Sequence, residues 1–374
     1  MVSCLAASVR VLPRPSMSCT TKYIDVPKQR KYTFLFLSLF LLASVLSSIS
    51  MGAVEISLSS LVSILNKYSG LSGEIQHSQQ QEAVFFTLRL PRALMGLLIG
   101  GTLSISGAVI QGMFRNPLAE PGLVGISSGA SLFAILMIVL ETKLFSAITA
   151  YFGYYALAAA SFFGAMITTF IVYRFSVRSG KTDVASLLLV GIAINALVGA
   201  STGLLTYIAT DEQLRSITFW SLGSLGGANW DILAVLFPCC LICVSVLLTL
   251  GKPLNAMALG ESQATHLGVP AQRLKMIIVV FAAIGVGACV AFSGIIGFIS
   301  LVIPHILRIS VTGDNVFVLP ASVLLGGGIL VFADLLARTL VAPSELPIGI
   351  LTAFMGAPVF IYIIVKQQKS RSIL

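Results

Sequence analysis

The sequence predicts an all-α integral membrane protein of about ten transmembrane helices, and three observations predict it. Of 374 residues, 57% are hydrophobic and only 10% charged, and the mean hydropathy is +0.98; an average soluble domain carries about a quarter charged residues. Apolar runs long enough for helical spans, each needing about 20 residues, recur along the whole chain. Between them the density of Lys and Arg alternates as the positive-inside rule requires.

The runs lie near residues 33–51, 92–114, 122–140, 150–173, 185–209, 231–250, 275–293, 295–311, 316–340 and 346–365. Ahead of the first is a basic flank of Arg10, Arg14, Lys22, Lys28, Arg30 and Lys31 with no small-residue cleavage site after it, the mark of an uncleaved span. Residues 1–32 therefore read as a cytoplasmic tail. Met17 is an alternative start, so residues 1–16 are expected to be a start-site extension or a disordered tail. The seventh and eighth runs meet at Ser293-Gly294, and their combined length requires two passes. Residues 33–366 form one ten-helix domain, with a cytoplasmic segment 252–274 and a cytoplasmic tail 367–374. With the N-terminus inside, 17 of the 23 Lys and Arg fall in the cytoplasm, leaving Lys67, Arg89, Arg92, Lys143, Arg215 and Arg338 outside. Both termini are then cytoplasmic in a membrane lipid environment.

Small residues recur at helical contact spacing at Gly96 and Gly100, Gly125 and Gly129, and Gly199 and Gly203, which allows close helix packing. Asn195, Thr202 and Thr206 on the fifth run either line an aqueous path or bond to neighbouring helices.

Several chemistries are excluded. The net charge of +9 follows topology, not a basic patch, so no nucleic-acid partner is expected. Cys239, Cys240, Cys243 and Cys289 lie in apolar runs without His or charged partners and read as buried inert thiols, and no metal site is expected. Gly180-Lys181-Thr182 imitates the end of a phosphate-binding loop, yet Phe175 stands where the pattern needs glycine. His305 and His266 fall at the cytoplasmic side, and His77 lies in a polar outer loop without a second ligand. An ion-coupled transporter needs ionisable groups near mid-membrane; only Asp334 lies clearly within a span, with Arg338 four residues on as its partner.

The punctuation between runs is more specific. Arg89-Leu-Pro-Arg92 opens the second run, which ends in Gln111-Gly-Met-Phe-Arg-Asn116-Pro117-Leu-Ala-Glu120-Pro121-Gly122; proline stops and glycine turns make this a structured cytoplasmic hairpin. Leu259-Gly260-Glu261-Ser-Gln-Ala264-Thr-His-Leu267-Gly268-Val269 sets short helical pieces between glycines, and its apolar side chains suit a partner's groove better than water. Later come Gly294-Ile-Ile-Gly297, Pro304-His305-Ile-Leu-Arg308, Asp334 with Arg338, Glu345-Leu-Pro347-Ile-Gly349 and Gly356-Ala-Pro358.

From Leu35 to Lys366 these motifs resemble, in order and spacing, the FecCD-type iron-siderophore, haem and cobalamin permease family of ABC importers. The resemblance implies a type II importer transmembrane domain, cobalamin-permease-like, in the bacterial inner membrane. It implies a homodimer, or a pair with a non-identical permease, above two ATPases that hold ATP and Mg and below a substrate-binding protein. This chain itself would be non-catalytic and bind no cofactor. Arg89, Arg92 and Arg338 match positions that dock carboxylates of the binding protein. Leu259, Gly260, Glu261, Ala264, Leu267 and Gly268 match the segment that couples to the ATPase. Thr182 and Asp183 fall in the cytoplasmic gate loop, although Lys181-Thr182-Asp183 departs from the hydroxyl-rich family pattern. Trp220, within Phe219-Trp-Ser-Leu-Gly223-Ser-Leu-Gly-Gly227, borders the cavity and looks most like the haem branch, with a ferric siderophore or cobalamin as alternatives.

Overall fold

The computed structural model describes residues 26–69, 77–141, 145, 151–178 and 181–371. Residues 1–25 with Met17, Cys4 and Cys19, together with Lys143, Ser179-Gly180 and 372–374, lie outside the described residues.

Helix α1 (Val26–Ser50) precedes a short α2 (Leu58–Tyr68) and α3 (Gln79–Val84), which continues through a π-helical turn at Phe85–Arg89 into α4 (Leu90–Phe114). A 3-10 turn at Pro121–Val124 leads to α5 (Ile126–Leu140) and α6 (Tyr154–Ser176). Two short strands, β1 (Val177–Arg178) and β2 (Lys181–Thr182), pair antiparallel with Val177 opposite Thr182. Then follow α7 (Val184–Tyr207), α8 (Asp211–Leu222), α9 (Trp230–Leu248), α10 (Gly251–Ala258), α11 (Glu261–His266) and α12 (Ala271–Ser293). The chain closes with α13 (Ile299–Ser310), α14 (Asn315–Thr339) and α15 (Ile348–Arg371).

Polar caps set the helix starts. Ser57, Asp183, Thr210, Asn229 and Asp314 each accept a backbone N–H from the first turn of the helix that follows, a contact worth about 1 kcal/mol per helix. At Thr210 the box closes both ways, because Gln213 accepts from the Thr210 backbone N–H at 3.0 Å.

Among the described residues seven helices are long and apolar enough to cross a bilayer, and three shorter apolar helices occupy the expected third, eighth and tenth positions. All ten expected positions are thus helical, seven of them at spanning length and three shorter. Left-handed backbone explains two of the shortenings: Gly125 (φ 84) starts α5 late, and Gly294 (φ 69) with Phe298 (φ 66) turns residues 294–298 into an apolar loop ahead of α13. Hydropathy alone reads such a loop as helix. Two boundaries also differ from expectation. Helix α1 begins within the expected tail, and the second span extends back to Gln79 as one 36-residue helical stretch through Phe114.

Helix α4 is the axis of the bundle, packed against α14, α12, α13 and α9. Between helices in lipid there is little hydrophobic gain, so close contact must come from small side chains. A Cβ on Gly100 would meet the Gly326 carbonyl oxygen at 2.3 Å, and one on Gly107 would meet that of Ser300 at 1.7 Å. Gly129 packs equally tightly on Gly164 of α6. By contrast, the Gly199 and Gly203 pair of α7 has nothing within 4 Å, and only 17% of that span is buried, against 83% for the span through α4. The described cysteines are free thiols, with Cys240 Sγ 3.9 Å from Cys289 Sγ.

Candidate functional site

Two polar clusters lie at opposite ends of the bundle. At one end, which holds the start of α4, the C-terminal turn of α14 and the residue 340–347 loop, Arg92 bridges two carboxylates. Its Nε donates to both Asp334 oxygens at 3.0 Å, while Nη1 and Nη2 donate to the two Glu345 oxygens at 2.8 and 2.9 Å. Such planar, bidentate pairing is what a guanidinium does best. Asp334 is almost wholly buried and Glu345 is 45% exposed at its side chain, so the cluster grades from the protein interior to solvent. Arg92 holds the Glu345 carboxyl below the usual glutamate range, against the opposing effect of burial.

The other two arginines of this end turn inward. Arg89 is 5% exposed, and its guanidinium donates to the carbonyls of Ile49 and Val54, bracing the end of α1. Arg338 donates to the carbonyl and hydroxyl of Ser48. Arg89 is thus turned away from solvent in this conformation: the Ile49 carbonyl, in the last turn of α1, lacks a helical partner and attracts a nearby donor. The expected Asp334–Arg338 pair is also secondary: it is 3.9 Å long, and Arg92 from another helix is the principal partner. Glu345, the acid of the Glu345-Leu-Pro347-Ile-Gly349 motif, is the outer carboxylate of this network, two residues before the proline that precedes α15.

The glycine motifs converge at this same end. A Cβ on Gly294 would meet the Trp220 carbonyl oxygen at 2.1 Å, and one on Gly349 that of Leu222 at 2.3 Å. Trp220 is half-buried against the core, and the Gly223 carbonyl accepts from Ile348 N–H at 3.1 Å. Trp230, not singled out in the sequence, donates from its indole to the Phe86 carbonyl at 2.9 Å. His77, in the polar outer loop, is held by Ser63 at 2.9 Å and Glu82 at 3.3 Å.

At the opposite end Arg30 pairs with Asp314 at 2.8 Å, and Asn255 donates to the same carboxylate at 2.6 Å. Asn116 forms the expected hairpin by accepting from Leu118 N–H, while Arg115 adopts left-handed backbone; Pro117, Glu120, Pro121 and Gly122 carry the chain on to α5. Burial raises the Glu120 carboxyl above its usual range. Asn195 bonds to neighbouring elements, accepting from Ser128 at 2.5 Å and donating to the Gly122 carbonyl at 3.0 Å. Thr206 bonds back to the Thr202 carbonyl within α7. Asp183 caps α7 through Ser186, whose hydroxyl and backbone N–H hold its carboxyl below the usual aspartate range.

Helix α11 projects here between Gly260 (φ 118) and Gly268 (φ 83), backbone that glycine alone adopts without strain. Ala264 faces inward, whereas Leu259 and Leu267 are 69% and 64% exposed. A cleft of about 700 Å³ separates α11 from the start of α12, lined by Lys181, Glu261, Thr265 and Arg273 among others.

A polytopic bundle with a half-exposed short helix at one end and a buried ion network at the other defines a membrane permease of the ABC-transporter class. The chain belongs to the FecCD transport family, which residues 39–366 match. It is 40% identical over 341 residues to the hemin transport system permease protein HmuU of Yersinia pestis, covering 90% of this chain and 96% of that one. It is 38% identical over 287 residues to the cobalamin import system permease protein BtuC of Halobacterium salinarum, covering 77% and 74%. The solved inward-facing conformation of a metal-chelate type ABC transporter superposes with a TM-score of 0.77 at 34% identity, over 90% of this chain and 99% of that one.

Proposed function

We propose that this chain is the transmembrane half of a binding-protein-dependent ABC importer that moves haem across the bacterial inner membrane, with both termini cytoplasmic. The similarity to a hemin permease across nearly its whole length carries this reading, and the Phe219-to-Gly227 pattern supports it. Two cytoplasmic ATPases, holding ATP and Mg, would seat on α11, whose exposed Leu259 and Leu267 suit a partner's groove. A second copy of the chain would cover α7, where Gly199 and Gly203 leave room for close helix approach.

The binding protein would dock at the Arg92 end. Its carboxylates would compete with Glu345 for the outer edge of Arg92, while Arg338 and Arg89 fix the end of α1 beside it. An ion-coupled mechanism is disfavoured because Asp334, the acid that would serve it, is already neutralised by Arg92.

The test is uptake by proteoliposomes containing the chain, its ATPase and its binding protein, offered haem, a ferric siderophore and cobalamin. Haem-selective accumulation is the expected result. Preference for the siderophore or cobalamin would overturn the substrate and leave the class.

A further inference from the structure

Among the described residues Lys275 is the largest fully buried side chain, at 1% exposure, and it ends in an ammonium. A buried ammonium is costly unless fully partnered, and its partners come from two different elements. Its Nζ lies 2.6 Å from Glu261 Oε1 on α11 and donates to the Thr182 carbonyl on β2 at 2.7 Å. One turn earlier on the same face of α12, Gln272 accepts from the Thr182 backbone N–H at 2.7 Å. Thr182 is thus held by both of its backbone polar groups, and one residue later Asp183 caps α7.

Three elements therefore meet at one cation: α11, the start of α12, and the strand that begins α7. A Cβ on either glycine that brackets α11 would meet nothing within 4 Å, so neither hinge is packed against a neighbour. A shift that carried Glu261 away would break the direct ion pair of Lys275 while leaving it buried, with the Thr182 carbonyl and the more distant charge of Asp183 remaining. Moving Lys275 and Thr182 together with Glu261 avoids that cost.

We propose that Lys275 is a positioning residue that transmits displacement of α11 to the β2–α7 junction, so that a partner seated on α11 controls the path beside α7. The proposal rests on reading α11 as the ATPase-seating segment.

The experiment uses the complete complex with its ATPase in proteoliposomes. It follows ATP hydrolysis together with the ATP-dependent change in maleimide labelling of Ala185→Cys, an exposed position in the first turn of α7. Lys275→Met should still hydrolyse ATP but lose the labelling change, and its haem uptake should fall about tenfold, within the usual range of coupling between sites. Lys275→Arg should keep the change, and Glu261→Gln, which removes the charge but keeps an acceptor oxygen for Lys275, should diminish it. The relay is overturned if labelling responds normally in both Lys275→Met and Glu261→Gln, or if hydrolysis and labelling fall in proportion. Failure of the wild-type chain to retain an ATPase would appear as loss of co-purification, and would overturn the importer reading along with the relay.

Discussion

Replacing Asp334 by alanine removes the inner carboxylate of the Arg92 network. Asp334 accepts from Arg92 Nε at 3.0 Å on each oxygen and from Nη2 at 2.9 Å, and its side chain is only 3% exposed. Breaking a buried pair by removing one partner costs about 3–5 kcal/mol, since the other charge stays buried. Arg92 keeps Glu345 at 2.8 and 2.9 Å, which favours the lower end, about 3 kcal/mol. In a chain of this size that lowers a thermal midpoint by several degrees, on the order of 5 °C. The assay is loss of the monodisperse peak on heating in detergent, at one fixed heating rate because unfolding of such proteins is irreversible. Arg92→Met in the Asp334→Ala background should cost far less than in the wild type, because the double variant leaves neither charge unpaired by the other. Additive losses, or an Asp334→Ala midpoint equal to wild type, would refute the network argument.

The depressed Glu345 carboxyl stabilises the chain fully above the ordinary glutamate value of about 4.3 and progressively less as pH falls through the lowered one; wild type and Glu345→Gln should therefore differ in midpoint at neutral pH and converge in acid. Gly107→Ala must displace the Ser300 backbone carbonyl that its Cβ would meet at 1.7 Å, costing about 3 kcal/mol or more, whereas Gly112→Ala meets side-chain atoms alone, Leu254 Cδ2 at 3.1 Å and Asn315 Oδ1 at 3.5 Å, and should lower the melting midpoint far less. If a second copy covers α7 as proposed, Gly203→Trp fills its open stripe, and light scattering should show a smaller assembly for the variant than for the wild type.

Element order was legible because apolar length and Pro/Gly punctuation are properties of the sequence itself. The Asn116-to-Gly122 hairpin and the break after Ser293 stand where proline stops and glycine turns put them. Helix α2 carries local signals of the same kind: Ser57 caps it, and Leu61 and Ile64 are buried at helical spacing. The shortened helices were not legible, since Ile295, Ile296 and Phe298 are as apolar in a loop as in a span. Nor was the inward turn of Arg89, whose acceptors are backbone carbonyls that no side-chain pattern announces. The Lys275–Glu261 pair spans a turn at Gly268, so no fixed helical offset connects the two residues.

The most direct test of the central claim is accumulation of haem in proteoliposomes that contain this chain, its ATPase and its binding protein, with ATP supplied on the ATPase side. Uptake that needs all three proteins and hydrolysable ATP, and that survives collapse of the proton gradient, is the predicted result. Accumulation driven by an ion gradient in the absence of the ATPase would contradict it.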